Sequence, residues 1–377
     1  MKFRSLFFAA VCGLAVSMTF TACGDDNDSY VPDVPQGPDT PNDTVVNPSN
    51  GYVGIGYILN EGSNKQNNAS LFAFNPLDST TTTTTCLFET KNGKKVGDTA
   101  QSLVTDGKNL YMAVYGSSYI SKMDKNGVEI ATYTCDDKVG QPRYMAVSGG
   151  YLYVTTYGGY VAKINANTLT LEDTVRVGKA PEAIVENNGV LYCANGSTMD
   201  YQEDHRVAII NESNFHQVKY VDVASNTQKV VAMGDYVFVQ SYGADYTNTP
   251  LQQYNIKNGK VTDLGYATYL AVANNKLYYI YSKTDWTTYT TTNTYSCYDP
   301  ATGNTEDITS TVVDKAPELA SATIYSLNVN PYDGSFYITT TLYKKGNGTL
   351  YHFGSDWTFK SKFTTWGQNP NSVVFIK

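Results

Sequence analysis

Three features of the sequence predict its fold class. Short alternating strands recur four to a unit of about forty residues, and the second strand of each unit reads like Leu-Tyr-Val. The C-terminus then begins a unit that it never completes. Together they predict an all-β chain, a seven-bladed β-propeller of four-stranded blades closed by the C-terminal strand joining the first blade.

The unit is clearest from Gln141 to Gly178. Met145-Ala146-Val147 is a short apolar strand, and Ser148-Gly149-Gly150 is a turn. Tyr151 to Tyr157 alternates as a half-buried strand should, and Gly158-Gly159 is a second turn. Tyr160 to Ala166 is a third strand; Asn167 to Val177 begins with a turn and ends in a fourth.

Second strands follow in order at Gly56-Tyr57-Ile58-Leu59, Asn109-Leu110-Tyr111-Met112, Tyr151-Leu152-Tyr153-Val154 and Val190-Leu191-Tyr192-Cys193. They continue at Tyr236-Val237-Phe238-Val239, Lys276-Leu277-Tyr278-Tyr279 and Ser335-Phe336-Tyr337-Ile338. A short first strand precedes each of the last six, as in Leu103-Val104 or Ala183-Ile184-Val185, but none precedes the first. The missing strand lies at the other end, where Trp366 to Phe375 copies the start of a unit as in Gly178 to Val185. A ring closed by that strand explains both anomalies and removes the open edges.

The chain of 377 residues is 41% hydrophobic, enough for a sizeable core, and holds 32 Tyr against 14 Phe and 3 Trp. Tyrosine suits strands and also supplies amphipathic binding surface. A formal charge of −8 argues against nucleic acid as a partner, because phosphate binding needs a basic stripe.

Residues 1–22 read as a signal peptide: Lys2 and Arg4 precede an apolar run, Leu6 to Val16, too short to span a bilayer. Phe20-Thr21-Ala22-Cys23 resembles a bacterial lipobox, with Phe where Leu is usual, which makes Cys23 the expected lipidated residue. Residues 23–50, rich in Asp, Pro, Asn and Gly, read as a flexible tether, and 51–377 as the propeller. Cys86, Cys135, Cys193 and Cys297 remain, with no Cys-x-x-Cys or Cys/His cluster. They are expected as buried free thiols in strands of different units.

Candidate binding residues fall in two sets on one propeller face. The entry to each blade carries Gln101, Arg143, Glu182, Gln228, Tyr269 and Asn371 in six units, polar or tyrosine side chains expected to line the mouth of the central channel. The turns between second and third strands carry Tyr115, Tyr157 with Tyr160, Tyr242 with Tyr246, Trp286 and Tyr343. Aromatics at equivalent loops of five blades predict a shared concave binding surface.

Catalytic signatures are weak, and the chain is expected to be no enzyme. It has no Gly-x-Ser-x-Gly, His-Glu-x-x-His or phosphate loop. His205 lies near Asp200, Glu203 and Asp204 without the spacing of a zinc or calcium loop, so no metal is expected. The run Thr80 to Thr85 reads as an exposed outer-edge strand.

The anchor, the acidic run Asp25, Asp26 and Asp28, and the repeated units resemble the YVTN-type seven-bladed propellers of Bacteroidetes surface lipoproteins. More narrowly, residues 51–377 resemble the cobalamin-binding propellers that partner the TonB-dependent cobalamin transporter. The resemblance implies a protein at the outer membrane, facing outward, that captures cobalamin (vitamin B12) or related corrinoids and passes them to that transporter. Cobalamin would be a bound ligand and not a catalytic cofactor. The likeness is of the whole chain and transfers no ligand-contact motif. A surface glycan-binding protein and a propeller glycosidase or lyase are the alternatives.

Overall fold

The computed structural model describes residues 54–77, 84–197, 204–244, 248–285 and 287–377. Its strands form seven antiparallel sheets, six with four strands in hairpin order and the first with three among the described residues. That first blade joins both ends of the chain: Ser70–Phe74, Ile55–Asn60 and Pro370–Ile376 lie side by side, with Tyr57 opposite Val374 and Ile58 opposite Val373. The C-terminal strand therefore closes the ring as the sequence predicts.

Counting from this blade, the innermost strands of blades 2 to 7 are Ala100–Thr105, Pro142–Ser148, Pro181–Asn187, Thr227–Met233, Tyr269–Ala273 and Ile324–Val329. Each touches the next, and Ile324–Val329 and Ala100–Thr105 both touch Pro370–Ile376, so the circle is complete.

Burial grades outward along each blade. Pro142–Ser148 is wholly buried, whereas the outermost strand of the same blade, Leu171–Arg176, has one buried residue, Val175, with the rest exposed or half-buried. The core lies between blades: Ile184, Leu191 and Val207 of blade 4 cluster with Val161 and Val175 of blade 3 and Val230 and Val237 of blade 5. Each such side chain removed from water contributes about 1.5–3 kcal/mol. Hairpin turns are fixed by residues that tolerate positive φ at both central positions, Gly149 and Gly150 (55° and 80°) in blade 3 and Asn274 and Asn275 (49° and 58°) in blade 6.

Three expectations need correction or fall outside the description. Thr80 to Thr83 lie outside the described residues; Thr84 and Thr85 form a bend leading to a short helix, α1 (Leu87–Asn92), with Phe88 buried. All four cysteines are free, but only Cys193 and Cys297 lie in strands. Cys86 is half-buried, not buried, and stands at the N-cap position of α1 without a side-chain cap bond; Cys135 follows the strand Glu129–Thr134. The expected signal peptide and tether, with Cys23, lie outside the described residues.

Candidate functional site

The site is built from one repeated irregularity. Six innermost strands slip register near their start, and the residue left over is Gln101, Arg143, Glu182, Gln228, Tyr325 or Asn371. A bulge bends the strand and re-aims a side chain, here at the same height in each blade. Five of these are entry residues read from the sequence; Tyr325 is the member that sequence reasoning did not register. In blade 6 the paired strand begins only at Tyr269, just after Thr268, whose N–H bonds Ile280 O (2.7 Å). Tyr269 pairs with Ile280 as Ser102 does with Ala113 and Lys229 with Gln240, so the ring position there belongs to Thr268 and Tyr269 lies one place further in.

A second repeated bond brings the turn residues alongside this ring. In six blades the residue after the second strand donates its N–H to the carbonyl two places before the bulge. Thus Glu61 bonds Asn369, Tyr115 bonds Thr99 and Tyr157 bonds Gln141; Gly196, Tyr242 and Thr341 bond Ala180, Asn226 and Thr323. Glycine is required where this approach is tightest: a Cβ on Gly158 would stand 2.2 Å from the Val139 carbonyl oxygen. Glu61 was not recognised from the sequence because its equivalents in blades 2, 3 and 5 are tyrosines.

The entry ring is buried and stitched from blade to blade. Arg143 donates through Nη1 to Gln101 Oε1 (2.5 Å) and through Nε and Nη2 to Glu182 Oε2 (3.2 and 2.6 Å), joining blades 2, 3 and 4. Gln101 Nε2 donates to the Tyr144 hydroxyl (2.9 Å). Ser197 N–H and Gln228 Nε2 both donate to Asn226 Oδ1, linking blades 4 and 5. Lys229 Nζ donates to Thr268 O (2.8 Å), Tyr269 to Ile324 O (2.6 Å), Ser326 to Pro370 O (3.3 Å) and Asn371 Nδ2 to Ala100 O (2.8 Å). Of the expected channel-lining residues, Gln101, Arg143 and Glu182 thus satisfy one another, while Gln228 bonds Asn226 and Tyr269 and Asn371 bond main-chain carbonyls of the next blade, which with Lys229 and Ser326 completes a closed belt.

Above the belt stand tyrosines. The Arg143 guanidinium lies 4.6 Å from the Tyr157 ring centroid and 5.4 Å from those of Tyr115 and Tyr144, and Tyr115 meets Tyr157 edge-on at 5.2 Å. The Tyr157 hydroxyl donates to Glu182 (3.2 Å). Across the mouth, Tyr343 meets Tyr325 edge-on at 6.4 Å. Tyr115, Tyr157 and Tyr242 are half-buried, Tyr343 is exposed, and Tyr269 and Tyr325 are buried. Tyr160 belongs elsewhere: it opens the third strand of blade 3 beside Arg176 of the outermost strand, whose guanidinium lies over its ring, so it sits toward the rim. Tyr246 and Trp286 lie outside the described residues.

Three charged groups at this level have unusual settings. Burial works against the charge of Arg143, but Glu182 outweighs it and holds the guanidinium ionised, while burial pushes the Glu182 carboxyl up against the pull of Arg143. Glu61 is 5% exposed, accepts from the Tyr325 hydroxyl (2.7 Å), and is pushed up by burial to about 7. Lys229 is 2% exposed, lies 4.0 Å from the Tyr269 ring centroid, and is pushed down by burial to about 7. Neither forms an ion pair among the described residues.

No group of three His, Cys, Asp or Glu suited to a metal ion occurs among the described residues. His205 faces Asp222 at 3.5 Å, Asp204 pairs with Arg206, and Asp200 and Glu203 lie outside the description.

No family model and no curated protein matches the chain. Solved structures do. A candidate 6-phosphogluconolactonase from Bacteroides uniformis is 13% identical with a TM-score of 0.60, over 86% of this chain and 100% of that one. Another from Bacteroides fragilis is 12% identical with a TM-score of 0.58, over 88% and 100%. Virginiamycin B lyase from Staphylococcus aureus is 10% identical with a TM-score of 0.52, over 70% and 83%. At such identities the likeness is one of architecture, and it agrees with the sheets described above: the chain is a seven-bladed β-propeller.

Proposed function

We propose that this protein is a binding protein that captures cobalamin or a related corrinoid on its blade-entry face. Held at the outer membrane, on the cell exterior, by lipid on Cys23, it passes the ligand to a TonB-dependent transporter. The observation that carries this reading is the belt with its tyrosines: residues of all seven blades meet at one mouth, and hydrogen bonds from each blade to the next hold their polar groups in place. A corrinoid is large, rigid and fringed with amides, so it calls for a broad platform of aromatic faces and polar groups. Because the belt is fixed before binding, little ordering cost is subtracted from affinity, and each ~1.4 kcal/mol gained is tenfold. Titration of the purified propeller with cyanocobalamin is expected to give saturable one-to-one heat at micromolar ligand or below; no binding there contradicts the reading.

A second reading rests on Trp366 and Tyr289, 40% and 81% exposed on loops of the same face. Exposed aromatics of this kind also suit glycan rings. Retardation on polysaccharide gels together with no response to corrinoids would favour it.

A further inference from the structure

We infer that ligand recognition on this face is concentrated at the seam between blades 7 and 1, where Glu61 and Tyr325 form the polar contact point and Tyr343 the aromatic wall. This rests on the corrinoid reading of the face and names the part of it that holds the ligand.

The mouth is uneven. On blades 2 to 4 the strong polar groups answer one another: Arg143 binds Gln101 and Glu182, Gln101 binds Tyr144, and Tyr157 binds Glu182. The three tyrosines there enclose a guanidinium and so support the belt. Blade 1 differs. At the position where blades 2, 3 and 5 carry tyrosine, it places a carboxylic acid, buried, with no ammonium or guanidinium within 4 Å among the described residues. A buried carboxyl with no direct ion pair weakens the fold, and such breaks in local consistency concentrate at working sites.

The neighbouring backbone is strained on the same seam. Tyr343 and Trp366 hold φ of 50° and 58°, a left-handed conformation that bulky side chains rarely adopt, yet both side chains reach solvent at 37% and 40% exposed. Their loops are bound together through Gly348 N–H to Gly367 O (2.8 Å) and Thr341 Oγ1 to Asn369 Oδ1 (2.7 Å). Tyr343 thereby stands over Tyr325 and Glu61, the exposed aromatic edge of the seam.

An amide-fringed neutral ligand fits this chemistry. Glu61 faces Tyr325, Asn371, Arg143, Asp98, Tyr144 and Tyr343, and burial holds its proton to near neutral pH. In that state it offers an amide both a donor and an acceptor.

The test is cyanocobalamin titration of wild type, Glu61→Ala, Glu61→Gln, Tyr343→Ala and Tyr115→Ala, with thermal unfolding of each as a fold check. Glu61→Ala and Tyr343→Ala are expected to weaken binding tenfold or more, and Tyr115→Ala less than threefold. Glu61→Gln, which keeps a donor and an acceptor and is the variant least able to perturb folding, is expected to bind with an affinity that no longer changes between pH 5.5 and 8. Wild-type binding that Glu61→Ala and Tyr343→Ala leave within threefold overturns the seam assignment alone. Failure of wild type to bind overturns the corrinoid reading and the assignment with it.

Discussion

At the residue scale, the belt depends on charges taken out of water. Arg143 and Glu182 are 4% and 5% exposed, so removing one leaves the other stranded. Arg143→Met is expected to cost about 3–5 kcal/mol in urea unfolding at neutral pH, and adding Glu182→Gln to recover most of that. A double variant as unstable as the single would show that the pair is not the source of the loss. Glu61 contributes a pH dependence of defined sign. Its folded carboxyl titrates at about 7 against 4.5 when unexposed to these neighbours, so the folded state binds its proton more tightly. Stability from this group is therefore greatest at low pH and is lost as pH rises from 4.5 through 7. Glu61→Gln should accordingly stabilise the protein by about 3 kcal/mol at pH 8 and far less at pH 5, read from urea midpoints. His352 acts in the opposite sense: burial lowers it to about 4, and its contribution is lost as pH falls from 6.5 through that value. An equal effect of Glu61→Gln at both pH values would contradict the assignment for Glu61.

At the element scale, the closing strand holds the most. Pro370–Ile376 supplies the inner edge of blade 1, accepts the Ser326 bond from blade 7 and sends the Asn371 bond to blade 2. A chain ending at residue 369 is expected to lose its cooperative thermal transition; a midpoint within a few degrees of the intact chain would refute this role. The sequence makes this architecture legible because strand alternation and the Tyr-bearing second strand recur blade after blade, and Trp366 to Phe375 repeats the start of a unit. The site is less legible because a bulge moves residues by one place. In blade 6 the pairing gives the ring position to Thr268 and not Tyr269, and Tyr325 could not be registered without the pairing. Tyr160 sits beside a Gly-Gly turn like a loop-tip aromatic, yet strand pairing carries it out to Arg176. Glu61 escaped notice because the residue that recurs at its position, in blades 2, 3 and 5, is tyrosine, and only the shared backbone bond to the blade entry identifies it.

At the scale of the whole molecule, the ring turns seven weakly informative loops into one surface. No single loop specifies a ligand, but the bonds running between blades fix their relative positions without a ligand to organise them. The outward strands are polar and the overall charge is −8, so the entry face with its tyrosines is the distinctive surface. The most direct measurement is a crystal structure of the propeller with cyanocobalamin. Corrin-ring density is expected over the blade-entry mouth, with Tyr343 against it and Glu61 hydrogen-bonded to a peripheral amide. Density on the opposite face, or none at saturating ligand, would contradict it.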